Sequence, residues 1–323
     1  MQLPRVGPRA FLRATQVALV LVVANIVTGG AVRLTDSGLG CPDWPTCSRR
    51  SLTPPLSLHQ VVEFGNRMVV VALTVVVAAV IAAALLRAPR RRDLTGLALG
   101  LGGGVVGEAV LGGIVVYTKL NPYAVMTHFA LGIAVLTVAT VLALRAGRAA
   151  GAGRPRVPSA PRRLAGVILG VLALAVAAGT ATTGAGPHAG GKGAVRLPVP
   201  LVDMARTHSA IALVAGALVV VELLIVWDAQ APPTVQNRGQ LLLVTLAGQG
   251  VIGYVQYFSH LPALLVGFHL AGACAVWSAA LWFLDGLRSH EPETAELADP
   301  LAPGGEPSMT SASGRDAPRT VAL

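Results

Sequence analysis

Three of the seven histidines lie inside or at the start of long apolar segments. These are His128, His208 and His269, and each is expected near the outer face of a membrane. Ionisable side chains at such depth are rare and usually serve a function, because burying them in hydrocarbon is costly. The plain alternative is a neutral imidazole hydrogen-bonded to a backbone carbonyl. These histidines are therefore the first candidates for chemistry.

Two histidines on facing helices of a bundle are a common way to bind heme iron. His208 and His269 are predicted to form such a pair. Zinc or copper would need further Cys, Asp or His ligands nearby, and the sequence shows no such cluster around them. Arg67 and Arg206, next to the candidate ligand positions Asn66 and His208, could meet heme propionates or merely extend to the membrane interface. The pattern favours heme over a bare metal ion.

Polar residues also open the second apolar segment, which begins HQVVEFGNR. Glu63, Asn66 and Arg67 are spaced three and four residues apart, so they share one face of a helix. A plain ion pair between Glu63 and Arg67 is one interpretation, and a catalytic role for Glu63 is the other. Asparagine is a poor iron ligand compared with imidazole. If this part of the chain binds heme, His128 is its one strong candidate ligand.

Cys41 and Cys47 lie in the segment GLGCPDWPTC, between the first two apolar segments. This segment is predicted to face an oxidising compartment, where a disulfide can form and persist. The prolines between the cysteines favour a tight loop. A structural disulfide and a redox-active pair both remain open.

The composition indicates what must position these residues. The chain has 323 residues, of which 54% are hydrophobic and only 12% charged. A soluble domain needs a more charged surface, and crossing the bilayer takes about 20 apolar residues. We predict eight membrane spans, roughly at residues 14–33, 64–86, 94–117, 124–144, 164–184, 207–227, 240–258 and 261–284. The first span is expected to be retained rather than cleaved as a signal peptide.

The basic residues predict the orientation of these spans. Six of the 25 fall in the loops assigned to the outer side: Arg33, Arg49, Arg50, Lys119, Lys192 and Arg196. Arg67 and Arg206 lie at span ends, and all the others fall on the opposite side. The positive-inside rule therefore places both termini in the cytoplasm. The net charge of +10 is spread over separate loops, which disfavours a nucleic-acid-binding patch.

An internal repeat predicts two similar halves. The segment GEAVLGGIVVYTKLNPYAVMTHFA at 107–130 aligns without gaps to GQGVIGYVQYFSHLPALLVGFHLA at 248–271. His128 then matches His269, and at nearly the same offset Asn66 matches His208. Four spans per half give a parallel repeat. We therefore expect a cytoplasmic N-terminus at 1–13, a first half at 14–145 with an outer loop at 34–58, a linker at 146–163, a second half at 164–285 and a disordered cytoplasmic tail at 286–323.

The chain resembles heme A synthase, the integral membrane enzyme family that converts heme O to heme A. The resemblance covers about residues 14–285, and its most specific piece is GLGCPDWPTC within GGAVRLTDSGLGCPDWPTC. The other matching pieces are EFGNR, THFALG, RTHSAIAL and GFHLAG.

The resemblance implies an all-α membrane protein with eight transmembrane helices, arranged as two tandem four-helix bundles related by pseudo-twofold symmetry. It implies that His208 and His269 ligate a heme b cofactor. The substrate heme would occupy the amino-terminal bundle, at the positions of Asn66 and His128. Glu63, Cys41 and Cys47 match the family's acidic residue and loop cysteines. The implied reaction oxidises a porphyrin methyl group to a formyl group by successive hydroxylations.

The sequence departs from the family's pattern at Asn66, where the usual motif has histidine. Ligation of the substrate heme by two histidines is therefore not expected. A substrate held by one strong ligand would exchange more readily than one held by two, or the open position would admit an oxidant. A second outer cysteine pair, found in some members, does not occur between residues 185 and 202.

Three other functions are alternatives to heme A synthesis. A diheme b-type cytochrome would carry electrons without consuming either heme, and Asn66 argues mildly against it. A transporter would also suit a parallel repeat but leaves the histidine placement unexplained. A heme O synthase would need Asp-rich clusters for Mg²⁺ and a prenyl diphosphate, and none occurs. By family analogy, a heme O synthase and cytochrome oxidase assembly are the implied partners in the cell membrane.

Overall fold

A computed structural model describes residues 5–41, 43–47, 57–151 and 153–289. Within these ranges the chain forms eight long helices and a short antiparallel pair of two-residue strands, β1 (Arg154–Pro155) and β2 (Arg288–Ser289). The helices are α1 (Pro8–Leu34), α2 (Leu58–Leu86), α3 (Arg92–Tyr117), α4 (Pro122–Ala146), α5 (Ser159–Ala185), α6 (Leu201–Asp228), α7 (Pro233–Phe258) and α8 (Ala263–Gly286). The predicted tail lies outside the described residues from position 290 onward.

All eight helices are long and apolar enough to cross a membrane, which confirms the predicted number of spans. The protein is thus an all-α, multi-pass integral membrane protein. Most helices begin several residues before the predicted span, because polar and proline-containing first turns do not register as apolar. Helix α4, for example, has Pro122 in its first turn, and the Asn121 side chain accepts hydrogen bonds from the Tyr123 and Ala124 amides.

The helix neighbours follow the same pattern in each half. Helices α1 and α3 each pack against α2 and α4, and helices α5 and α7 each pack against α6 and α8. The halves meet where α8 contacts α1 and α4, and where α4 contacts α5. Each set of four helices therefore forms its own closed ring of packed neighbours. The pseudo-twofold relation and the boundaries of the two halves stay predictions.

The turns that lead into the histidine-bearing helices α4 and α8 also match in detail. Leu120 and Leu261, which align in the repeat, both adopt the left-handed backbone conformation, with φ of 63° and 58°. Leu120 donates its amide hydrogen to the Val115 carbonyl at 2.9 Å, and Leu261 donates to the Gln256 carbonyl at 2.7 Å. These carbonyls align in the repeat, as the leucines do. The two turns thus start α4 and α8 in the same way.

A single arginine joins the two halves near the ends of α1 and α5. Arg33 Nε donates to the His188 carbonyl at 2.6 Å, and its NH2 group donates to the Thr183 carbonyl at 2.8 Å. The Gly38 amide donates to the Gly190 carbonyl at 2.8 Å in the same region. Charged donors make stronger hydrogen bonds than neutral ones, so this contact fixes the outer loop of one half against the other.

Replacing Arg33 by alanine is therefore expected to lower the free energy of unfolding by about 3 kcal/mol, because two carbonyls lose a charged donor. The measurement is denaturation with SDS in detergent micelles. Arg196→Ala is the matched control. Arg196 is exposed and makes one longer hydrogen bond, 3.2 Å to the Pro187 carbonyl, so its loss should cost less than about 0.5 kcal/mol. Equal costs for both variants would contradict the assignment.

Candidate functional site

The structure brings His208 of α6 and His269 of α8 next to each other in the second half, with their rings in an edge-on arrangement. Their ring centroids are 6.0 Å apart and the ring planes meet at 77°. Metal–nitrogen bonds of about 2 Å place the centroids of two imidazoles on opposite sides of one metal about 6 Å apart. The observed separation therefore suits two axial ligands on one iron.

The immediate surroundings orient these rings. His208 Nδ1 donates to the Ala175 carbonyl at 2.8 Å, which leaves Nε2 as the free, lone-pair-bearing nitrogen. A Cβ atom on Gly179 of α5 would lie 3.0 Å from the His208 ring, and one on Gly253 of α7 would lie 3.1 Å from the His269 ring. Glycine at both positions therefore gives the two imidazoles the room they occupy.

The corresponding residues of the first half have related neighbours. A Cβ atom on Gly29 would lie 3.9 Å from the Asn66 side chain, and one on Gly112 would lie 3.8 Å from the His128 ring. Both are ordinary van der Waals distances, so this half is less crowded than the second. Asn66 Oδ1 accepts a hydrogen bond from the Thr28 hydroxyl at 2.7 Å. The amide oxygen of Asn66 is thus already engaged, in agreement with its weakness as an iron ligand.

Glu108 of α3 is a site residue that the sequence analysis missed. Its Oε2 atom lies 3.4 Å from Nδ1 of His128, and its side chain is only 12% exposed. The available signal was a carboxylate in an apolar span, at the position where the repeat has Gln249. A second missed carboxylate, Glu222 of α6, is 1% exposed, and neither oxygen has a hydrogen-bond partner among the described residues.

The predicted ion pair between Glu63 and Arg67 is present, and it supports the outer loop. Arg67 NH2 donates to Glu63 Oε1 at 2.5 Å, while Glu63 Oε2 accepts the Cys41 amide hydrogen at 2.7 Å. Arg67 NH1 also donates to the carbonyls of the loop residues Asp43, Pro45 and Thr46. The first turns of α2 therefore hold the loop through both members of the ion pair.

Cys41 and Cys47 form a disulfide, which confirms the pairing expected from the sequence. Both cysteines are almost fully buried, with exposures of 0% and 1%. Of the described residues between them, Asp43, Pro45 and Thr46 accept hydrogen bonds from Arg67 at their carbonyls, and the Trp44 carbonyl accepts one from the Tyr117 hydroxyl. The disulfide and the arginine thus constrain the same short segment over the first half.

Two further predictions can be placed. Arg206 is exposed and lies one half-turn before His208 on α6. Among the described residues, no three His, Cys, Asp or Glu side chains come together as a protein metal site.

Comparison with known proteins identifies the family of this chain. Residues 13–62 and 57–190 match the family described as cytochrome oxidase assembly protein (COX15-CtaA). The heme A synthase of Geobacillus kaustophilus is 33% identical over 131 residues, which are 38% of this chain and 40% of that protein. The heme A synthase of Geobacillus thermodenitrificans is 35% identical over 140 residues, or 40% and 42% of the two chains. That of Hyphomonas neptunium is 29% identical over 202 residues, or 51% and 56%.

The chain thus spans about 40% to 56% of the length of these curated relatives. The family match covers more than half of the chain and includes the disulfide loop, the ion pair on α2, and His128 with its neighbour Glu108. The eight membrane-spanning helices agree with it. On this combined evidence the chain belongs to the heme A synthase family of cytochrome oxidase assembly proteins.

Proposed function

We propose that this protein is a heme A synthase, an oxidoreductase that converts a methyl group of heme O to the formyl group of heme A. Two successive hydroxylations of one carbon followed by loss of water account for this change. The observation that carries the proposal is the pair His208 and His269, whose ring centroids are 6.0 Å apart within a member of this family.

The second half is proposed to hold heme b as the resident cofactor, which His208 and His269 would bind through its iron. Heme b, when bound, supplies an iron that takes up and passes on single electrons. The hydrogen bond from His208 Nδ1 to the Ala175 carbonyl fixes the tautomer, so that Nε2 would be available to bind the iron. Arg206 is proposed as the partner of a heme propionate because its charged guanidinium is exposed near the start of α6, the helix that carries His208.

The first half is proposed to receive heme O, with His128 as its one strong ligand and Asn66 on the opposing helix. One imidazole ligand would bind the substrate less tightly than two, which suits a heme that must leave as product. Glu63 and Arg67 lie in the first turns of α2, beside this pocket. Both oxygens of Glu63 accept hydrogen bonds, which supports an electrostatic and loop-holding role more than proton acceptance.

The proposed setting is the cell membrane, with both termini in the cytoplasm and the disulfide loop outside. The basic residues support this orientation. A heme O synthase is the proposed source of substrate, and assembly of cytochrome oxidase is the proposed destination of the product. The buried Cys41–Cys47 disulfide is proposed to close the outer loop.

The direct test is expression of the full chain with heme O supplied, followed by pigment extraction and mass measurement. Heme A should appear, and it should be absent with His128→Ala. Two stoichiometric, unaltered hemes b in the purified protein, with no heme A formed, would overturn the proposal in favour of an electron-transfer cytochrome.

Gly179→Ala is expected to weaken heme b binding about 10-fold, because its new methyl group would press on the His208 ring and disturb a ligand-orienting hydrogen bond. The measurement is heme content per protein after purification and dialysis. Gly170→Ala on the same helix is the matched control, since a Cβ there meets no atom within 4 Å. It should keep its heme and gain up to about 1 kcal/mol of helix stability. Equal heme content in the two variants would contradict the predicted crowding.

A further inference from the structure

A buried carboxylate lies behind the proposed substrate ligand. Glu108 Oε2 is 3.4 Å from His128 Nδ1, the ring nitrogen that would face away from an iron bound at Nε2. Neither His128 Nδ1 nor Glu108 Oε1 has a hydrogen-bond partner among the described residues. A carboxylate inside an apolar span needs a donor, because leaving it unsatisfied is costly. The Nδ1–H group of His128 could donate to Glu108 after a small rotation of either side chain.

The same carboxylate also borders a small, largely apolar cavity in the first half. All four helices α1 to α4 line this cavity, and Glu108 and Asn25 are its polar residues. Asn25 Oδ1, like Glu108 Oε1, is buried and has no hydrogen-bond partner within the described ranges. Oε2 of Glu108 therefore lies 3.4 Å from His128 Nδ1, and its Oε1 accepts no hydrogen bond from any described residue.

The second half has a different residue beside its histidine at the position equivalent to Glu108. Gln249 replaces Glu108 in the repeat, and its Nε2 donates to the backbone carbonyl of His269 at 2.5 Å. The amide is neutral, whereas Glu108 brings a carboxylate beside the imidazole of His128. The half with two histidines thus has an amide here, and the half with one histidine has a carboxylate.

We propose that Glu108 is a positioning residue that accepts the Nδ1–H of His128, directs Nε2 toward the substrate iron and makes the imidazole a stronger ligand. Carboxylate–histidine–metal arrangements fix ring orientation and raise ligand basicity. The stronger single ligand offsets the absence of a second imidazole at Asn66. This inference rests on the proposed function, because it requires heme at His128.

The test is resonance Raman spectroscopy of the reduced full-length protein loaded with heme B. The iron–imidazole stretching band arises from five-coordinate heme, so it reports the single-histidine site and not the site with two histidines. In Glu108→Gln, loss of the charge should lower the frequency of this band and weaken heme binding at His128 roughly 10-fold. Glu222→Gln is the matched control, since it removes another buried carboxylate from a span, and the band should not move.

The outcomes separate the inference from the function. A band that is unchanged in Glu108→Gln, with heme A still formed, overturns the role of Glu108 alone. A wild-type protein without any such band overturns the single-histidine site and the inference with it. If Glu108→Gln does not accumulate, His128→Ala supplied with imidazole or 1-methylimidazole serves instead. Imidazole can donate to Glu108 and should give the higher frequency, whereas equal frequencies would overturn the proposal.

Discussion

Replacing His269 by alanine is expected to remove the low-spin heme spectrum and reduce heme content at this site by at least about 100-fold. Loss of a residue that merely supports a metal ligand costs about 10- to 100-fold in affinity, and His269 is proposed as a ligand itself. Its ring centroid lies 6.0 Å from that of His208, which is the separation expected for two ligands of one iron. The measurement is the absorption spectrum together with heme extracted per protein.

His260→Asn is the matched control for this variant. His260 is exposed in the turn before α8, and asparagine tolerates its left-handed backbone, with φ of 63°. This variant should keep the wild-type spectrum and heme content. Full retention of a low-spin heme in His269→Ala would mean that the pair does not share an iron, and the cofactor assignment would fail.

Asn66→His is expected to produce the second large effect, a second low-spin heme. The new imidazole would stand where the repeat places His208, opposite the helix that carries His128. A further iron–imidazole bond should slow release of heme from the first half by at least about 10-fold, which corresponds to about 1.4 kcal/mol. The measurements are the low-spin fraction by electron paramagnetic resonance and the rate of heme transfer to an apoprotein acceptor.

Asn66→Gln is the matched control, because glutamine keeps an amide and adds no strong iron ligand. It should leave one low-spin heme and the wild-type rate of heme release. The contradicting result would be a single low-spin heme in Asn66→His while heme is bound in the first half. In that case the side chains at positions 66 and 128 do not bind the same iron. The parallel between the two halves would then not extend to the ligands.

The sequence alone was enough to predict the number of membrane spans, because each needs a long apolar run that composition reveals directly. It also indicated the ion pair between Glu63 and Arg67, since residues four apart on a helix are neighbours in any fold. Two cysteines in one short loop that is predicted to face an oxidising compartment indicated the Cys41–Cys47 disulfide. Local spacing was sufficient for these features.

The partners of the functional side chains were decided by the tertiary structure. The contact of Glu108 with His128 joins two helices, and the hydrogen bond of His208 to Ala175 joins another two. The engagement of Arg67 with the loop carbonyls depends on how the loop folds back over α2.

The physical reason lies in the membrane environment. In a water-soluble bundle the apolar stripe of a helix shows which face turns inward. In a membrane, lipid and protein interior are both apolar, so hydropathy does not reveal the rotation of a helix about its axis. The sequence by itself therefore determined the spans, the repeat and the candidate ligands of this protein. Only helix packing decided that His208 meets His269 across 6.0 Å and that Glu108 stands behind His128.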